Sequence, residues 1–288
     1  MTPNLKGALL MMGSMTAFTL NDVFVKLLAE TVPLFQIVFL RGILTTLFLT
    51  VTVAVFGKLT FRIPKGDRWK VALRTGFEML TVVTFLTALV NMQIANAAAI
   101  LAALPLVVTF GAAILFREPV GWRRWTAILI GAFGVLLIVQ PGMAGFNSYS
   151  LLALIAVVLV AGRDLTTRAF SNDVPLMSVA VITAAGVGAF GGVMSTTIEW
   201  APMGAAEVAY LLACAITIIG GYVLSIFVMR VGDVSVTSPF RYTALVVALI
   251  LGVVVFSEFP NALALTGSAI VVATGVFTLI RERRVARG

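Results

Sequence analysis

Apolar residues gather along this chain in runs of about 20, and charged residues or prolines separate one run from the next. A helix rises about 1.5 Å per residue, so about 20 residues cross about 30 Å of hydrocarbon. The pattern predicts ten spans, near 5–28, 33–56, 70–91, 95–116, 122–140, 148–170, 176–198, 208–230, 234–256 and 260–280. In lipid the backbone N–H and C=O groups must be satisfied inside the segment, so the runs are expected to be helices. The first is too long for a signal-peptide core, lacks a small-residue cleavage site and leads straight into another run. It is expected to remain part of the protein.

Composition agrees, since 60% of the residues are hydrophobic and 11% charged, far from the usage of a soluble domain. The formal charge of +8 would suit a nucleic-acid partner, so its placement matters. With the amino terminus taken as cytoplasmic, one side carries Lys6; Lys58, Arg62, Lys65, Arg68 and Lys70; Arg117, Arg123 and Arg124; Arg168; Arg230; and Arg281, Arg283, Arg284 and Arg287. The five opposite loops carry no lysine or arginine, and one of them holds Glu199 and Glu207. Cytoplasmic loops keep the positive charge, so both termini are expected in the cytoplasm of a bacterial inner (cell) membrane protein. The excess is therefore topological, and the expected partners are the lipid bilayer and a small-molecule substrate. No nucleic acid is expected, and the chain is read as a monomer or weak homodimer.

No histidine is present, and the one cysteine, Cys214, lies in an apolar run. An intramolecular disulfide and metal ligation by thiols are excluded, and neither a cofactor nor a metal is expected. No serine motif with a plausible base appears, so an enzyme is not expected.

The sequence also matches itself. At an offset of 142, Asn21-Asp22-Val23-Phe24-Val25-Lys26 faces Arg163-Asp164-Leu165-Thr166-Thr167-Arg168, and Val32-Pro33 faces Val174-Pro175. At 140, Phe116 and Glu118 meet Phe256 and Glu258; at 141, Gly134-Val135 meets Gly275-Val276. The chain is read as two repeats, 1–141 with helices 1–5 and 142–288 with helices 6–10. Five is odd, so the second copy enters the membrane in the opposite sense. Inverted repeats place a substrate between the halves near the midplane, an architecture that suits alternating access.

Certain motifs carry a family likeness. They are Ala95-Asn96-Ala97-Ala98-Ala99-Ile100 leading to Pro105, then Phe116-Arg117-Glu118 before Gly131 and Gly134, and in the second half Ser238-Pro239-Phe240-Arg241-Tyr242, Phe256-Ser257-Glu258, Gly267 and Gly275. In order and spacing they resemble the EamA-like members of the drug/metabolite transporter superfamily. That resemblance implies ten helices in duplicated halves and the export or import of metabolites such as amino acids or vitamins. It says more about the fold than about the substrate.

A charge at membrane depth costs at least about 2.5 kcal/mol and needs a partner or a purpose. Asp22 with Lys26 and Asp164 with Arg168 stand at i,i+4 in both halves, so each is expected to pair locally as scaffold. Alternatively, Asp22 or Asp164 carries a coupling proton. Arg41, Arg74, Glu78, Arg163 and Arg241 occur in one half only and are candidates for asymmetric work. Arg74 and Glu78 form another i,i+4 pair, expected either as a local salt bridge or, with Arg163 and Arg241, as a cytoplasmic gate. The spans hold five basic residues against Asp22, Glu78 and Asp164, an excess that favours an anionic or zwitterionic substrate. Arg41, Arg163 and Arg241 are the candidate anion contacts, and Tyr222 and Tyr242 the candidate aromatic ones. Pro105 and Pro239 are expected to break or kink spans 4 and 9. The function expected is secondary transport of a small organic metabolite, amino-acid-like or vitamin-like; a channel or facilitator for a neutral solute is the alternative.

Overall fold

A computed structural model describes residues 3–56, 60, 62–117, 121–143, 145–231 and 237–287. Every regular element among them is helical: α1 (Pro3–Leu28), α2 (Leu34–Phe56), α3 (Arg68–Asn91), α4 (Ile94–Leu101), α5 (Leu104–Leu115), α6 (Trp122–Val139), α7 (Tyr149–Arg168), α8 (Leu176–Ser195), α9 (Ala205–Val231), α10 (Thr243–Phe256) and α11 (Ala262–Arg287), with 3-10 turns at Lys65–Asp67 and Ser238–Tyr242. They make ten segments long and apolar enough to cross a membrane, in the order the apolar runs predict.

Span 4 is two helices and not one. Proline has no N–H to give to the carbonyl four residues back, and its ring crowds that carbonyl. Here Pro105 sits in the first turn of α5, where its missing donor costs nothing, and the chain turns at Ala102-Ala103. The Ala102 and Ala103 N–H groups still bond to the carbonyls of Ala98 and Ile100. Pro239 likewise opens the 3-10 turn that leads into α10. Its upstream partner Ser235 lies outside the described residues.

The halves pack mainly on each other. α1 lies along α9, α3 along α7, α2 along α8, and α6 along α11. Exchanging the halves turns the α1–α9 contact into the α7–α3 contact and maps α2–α8 and α6–α11 onto themselves. Both self-related contacts are made at glycine: a β-carbon on Gly42 of α2 would overlap the Gly188 backbone of α8, and one on Gly267 of α11 would overlap the Gly134 carbonyl oxygen of α6. Apolar side chains gain little by leaving lipid for protein, so close backbone approach through small residues supplies the dispersion contacts that hold such helices together. The small residues of α4 serve the same end, and Ala97 and Ala99 are fully buried.

These contacts yield a stability prediction. Gly267→Ala forces a methyl group into the Gly134 carbonyl and should cost about 1–3 kcal/mol by overpacking. Gly76 of α3 has open space around it, so Gly76→Ala should leave stability unchanged or slightly raised. Thermal unfolding of the two variants in one detergent compares them; equal melting temperatures would contradict the crossing described.

Candidate functional site

A cavity of about 280 Å³ lies where the halves meet, walled by α2 and α3 from the first and α7, α8 and α9 from the second. Six of the nine candidates line it: Arg41, Arg74, Glu78, Arg163, Asp164 and Tyr222. Asp22, Arg241 and Tyr242 do not.

Helical spacing and antiparallel packing account for the contacts on its wall. Arg74 and Glu78 stand one turn apart on α3, and Arg163 and Thr167 one turn apart on α7. The two helices run in opposite directions, so Arg74 meets Thr167 and Glu78 meets Arg163. Arg163 Nη1 donates to Glu78 Oε2 at 2.9 Å. Asp164 Oδ1 accepts from Arg163 Nε at 2.9 Å and stands 2.8 Å from Nη2, so the guanidinium is held between two carboxylates. Arg74 donates from Nε to Thr167 Oγ1 at 2.9 Å and from Nη1 to Thr183 Oγ1 of α8 at 2.6 Å. The Thr167 hydroxyl in turn donates to the Arg163 carbonyl at 2.8 Å. Every contact of Arg74 and Glu78 in this set crosses from the first half to the second.

Toward the other face, Arg41 Nη1 donates to Asn21 Oδ1 at 3.4 Å, and Asn21 Nδ2 donates to Asp22 Oδ1 at 3.2 Å. Asn21 therefore stands between a cation on α2 and an anion on α1. The lining holds three guanidinium groups against two carboxylates, a net charge of +1. Arg163 is matched by acid, but Arg41 and Arg74 bond to neutral amide and hydroxyl oxygens. Among the described residues no carboxylate lies within salt-bridge distance of either.

The local pairings expected from i,i+4 spacing are replaced by others. Arg74 does not bridge to Glu78, because Arg163 takes the Glu78 carboxylate and two threonines take Arg74. Lys26 reaches Glu258 at 2.6 Å and not Asp22. Asp164 is engaged by its neighbour Arg163, while the Arg168 guanidinium lies 5.3 Å from the centre of the Phe116 ring. In each case a partner from another helix or a neighbouring residue competes with the helical neighbour.

Arg241 and Tyr242 sit in the 3-10 turn, where side chains step by about 120° and not the 100° of an α-helix. Arg241 is exposed there. Tyr242 is buried against Gly275 of α11, and its hydroxyl is buried without a hydrogen-bond partner among the described residues. Tyr222 does face the cavity, with its ring edge-on to Phe18 at 5.3 Å. The adjacent Gly221 admits that same Phe18 ring, and its carbonyl accepts from Ser14 Oγ at 2.8 Å. Sequence reasoning did not single out Thr167, Thr183 and Asn21. Thr167, four residues after Arg163, carried a signal; Thr183 could be found only from the packing of α8 on α3.

Ten helices long and apolar enough to cross a membrane, around a charged, solute-sized cavity, define a multi-pass membrane protein. Residues 5–140 match the EamA-like transporter family, which belongs to the drug/metabolite transporter superfamily. The S-adenosylmethionine uptake transporter of Rickettsia conorii is 25% identical over 274 residues, covering 94% of this chain and 91% of its own. A riboflavin transporter of Rhizobium johnstonii is 24% identical over 220 residues, covering 76% and 72%. The pseudopaline exporter of Pseudomonas aeruginosa is 23% identical over 277 residues, covering 92% and 93%. A protein known from its crystal structure shares the fold with a TM-score of 0.67, over 97% of this chain and 98% of that one, at 19% identity. The protein is a metabolite transporter and not an enzyme.

The Glu78–Arg163 contact can be measured directly. A double-mutant cycle with Glu78→Gln and Arg163→Gln should give a coupling of about 1–3 kcal/mol in unfolding free energy, since Glu78→Gln leaves Arg163 with Asp164 alone and Arg163→Gln leaves Glu78 without its cation. Additive effects would show that the pair contributes nothing across α3 and α7.

Proposed function

We propose that the protein is a secondary transporter that moves a small anionic or zwitterionic organic metabolite, amino-acid-like or vitamin-like, across the bacterial inner membrane by alternating access through the cavity between its halves. One observation carries this reading: Arg41 and Arg74 line the cavity with only neutral hydrogen-bond partners among the described residues. A guanidinium at membrane depth with no carboxylate at salt-bridge distance has unmet capacity for an anion, and its fork matches a carboxylate or phosphate in bidentate fashion. Glu78 and Asp164 on the same wall supply acceptors for a substrate ammonium group. Tyr222 offers a ring face and a hydroxyl. The cavity volume, near the low end of the range for organic-ligand pockets, suits a metabolite of modest size.

In this reading the repeats are residues 1–141 and 142–288, with both termini in the cytoplasm. Exchange of helix partners between halves supports the first, and the one-sided placement of lysine and arginine supports the second. The Glu78–Arg163–Asp164 cluster is the gate on the face that carries the termini. A substrate carboxylate arriving at Arg74 competes with Thr167 and Thr183 and loosens α3 from α7 and α8. The relatives named above include an uptake transporter and an exporter, so direction is a property of coupling and not of this fold.

Ligand stabilisation of the purified protein tests the substrate class, because a specific binder raises apparent stability by mass action. Metabolites bearing a carboxylate or phosphate should raise the melting temperature, and Arg74→Gln should weaken that response about tenfold or more in ligand concentration, the loss of one charge-assisted contact. Hits confined to compounds without an anionic group would overturn the arginine argument. With a hit in hand, saturable counterflow in proteoliposomes separates the carrier from a channel, whose flux does not saturate. Glu78→Gln should change the transport rate; an unaltered rate and pH dependence would remove the gate assignment.

A further inference from the structure

Lys26 and Glu258 make a second ionic contact between the halves, at the face away from the termini. Lys26 lies two residues before the end of α1, and Glu258 two residues beyond the end of α10. Lys26 Nζ donates to Glu258 Oε1 and to the Met92 carbonyl, both at 2.6 Å, and stands 4.9 Å from the centre of the Phe256 ring. The other carboxylate oxygen, Glu258 Oε2, accepts the N–H of Ile94, the first residue of α4, at 2.8 Å. Two side chains thus tie α1, the α3–α4 connection and the end of α10 into one knot. They are 11% and 17% exposed, close enough to water to be rehydrated when they part.

Beneath the knot the protein is shut. The α9 lining of the cavity stops at Ile218, and one turn nearer the knot Cys214 is fully buried, with its thiol 3.9 Å from the Asn21 carbonyl. Val25 and Ile94 are buried as well. The opposite face carries a counterpart: the Arg168 guanidinium lies over Phe116 at 5.3 Å, and Arg168 and Phe116 occupy the repeat positions of Lys26 and Phe256. A cation on an aromatic ring recurs at each face with the halves exchanged.

We infer that the Lys26–Glu258 contact is the gate of the face opposite the termini, closed in this structure and released when the cavity opens to that face. An ion pair suits such a seam better than an apolar one. Opening returns both charges to water, which offsets the lost attraction and keeps the two states within reach of each other. The inference rests on the alternating-access reading, while its test needs no substrate.

Cys214 is the only cysteine in the chain, and it lies between the cavity and the knot. In proteoliposomes of known orientation, a charged, membrane-impermeant methanethiosulfonate reports access to that thiol from each face. Glu258→Gln keeps an acceptor for the Ile94 N–H and removes only the charge that holds Lys26. It should raise labelling from the face opposite the termini about tenfold or more, as loss of a charged hydrogen bond shifts the population, and leave labelling from the other face unchanged or slower. Lys26→Met should do the same and stands in where the first variant does not fold. Unchanged rates, or equal rises from both faces, overturn the gate. Either result leaves the ligand-stabilisation test of the cavity unaffected, and failure of that test leaves the labelling test intact.

Discussion

A charge in hydrocarbon must find a partner or reach water, and Lys26, Arg74 and Glu78 meet that requirement by reaching across to the other half of the chain. Glu78 of α3 takes its cation from α7, and Lys26 of α1 takes its anion from the end of α10. Arg74 goes further and draws its two acceptors from two helices of the second half. Each contact is available only when the halves sit in this arrangement. The polar groups therefore specify how the halves meet, while the apolar surface, as content in lipid as in protein, specifies little.

Around these contacts the helices obey a symmetry that the charges break. Partners exchange under the swap of halves, and the two self-related contacts, α2 on α8 and α6 on α11, close on glycine. Asymmetry enters at the cavity, where Arg74, Glu78 and Arg163 have Cys214, Ile218 and Asn21 as their repeat counterparts.

The broken span 4 belongs to the same economy. The break at Ala102-Ala103 begins a new helix at Pro105, and the start of α4 lends its Ile94 N–H to Glu258. One carboxylate thus satisfies a helix end and a lysine together. A terminus that would otherwise leave an unpaired donor becomes part of the contact between halves.

The sequence alone was enough for the ten spans and their order, because hydrophobic run length and helix rise are local or linear properties. It was enough also to single out five charges that line the cavity, Arg41, Arg74, Glu78, Arg163 and Asp164, since a charge at membrane depth stands out wherever it lies. Partners were another matter. Spacing of i,i+4 pointed Lys26 to Asp22, Asp164 to Arg168 and Arg74 to Glu78, and the folded protein chose Glu258, Arg163, and Thr167 with Thr183. It likewise left Arg241 and Tyr242 in a 3-10 turn away from the cavity. A helical neighbour is always within reach, but which groups meet depends on how helices far apart in the chain are rotated and staggered against one another. That is decided by packing, and only the tertiary structure contains it.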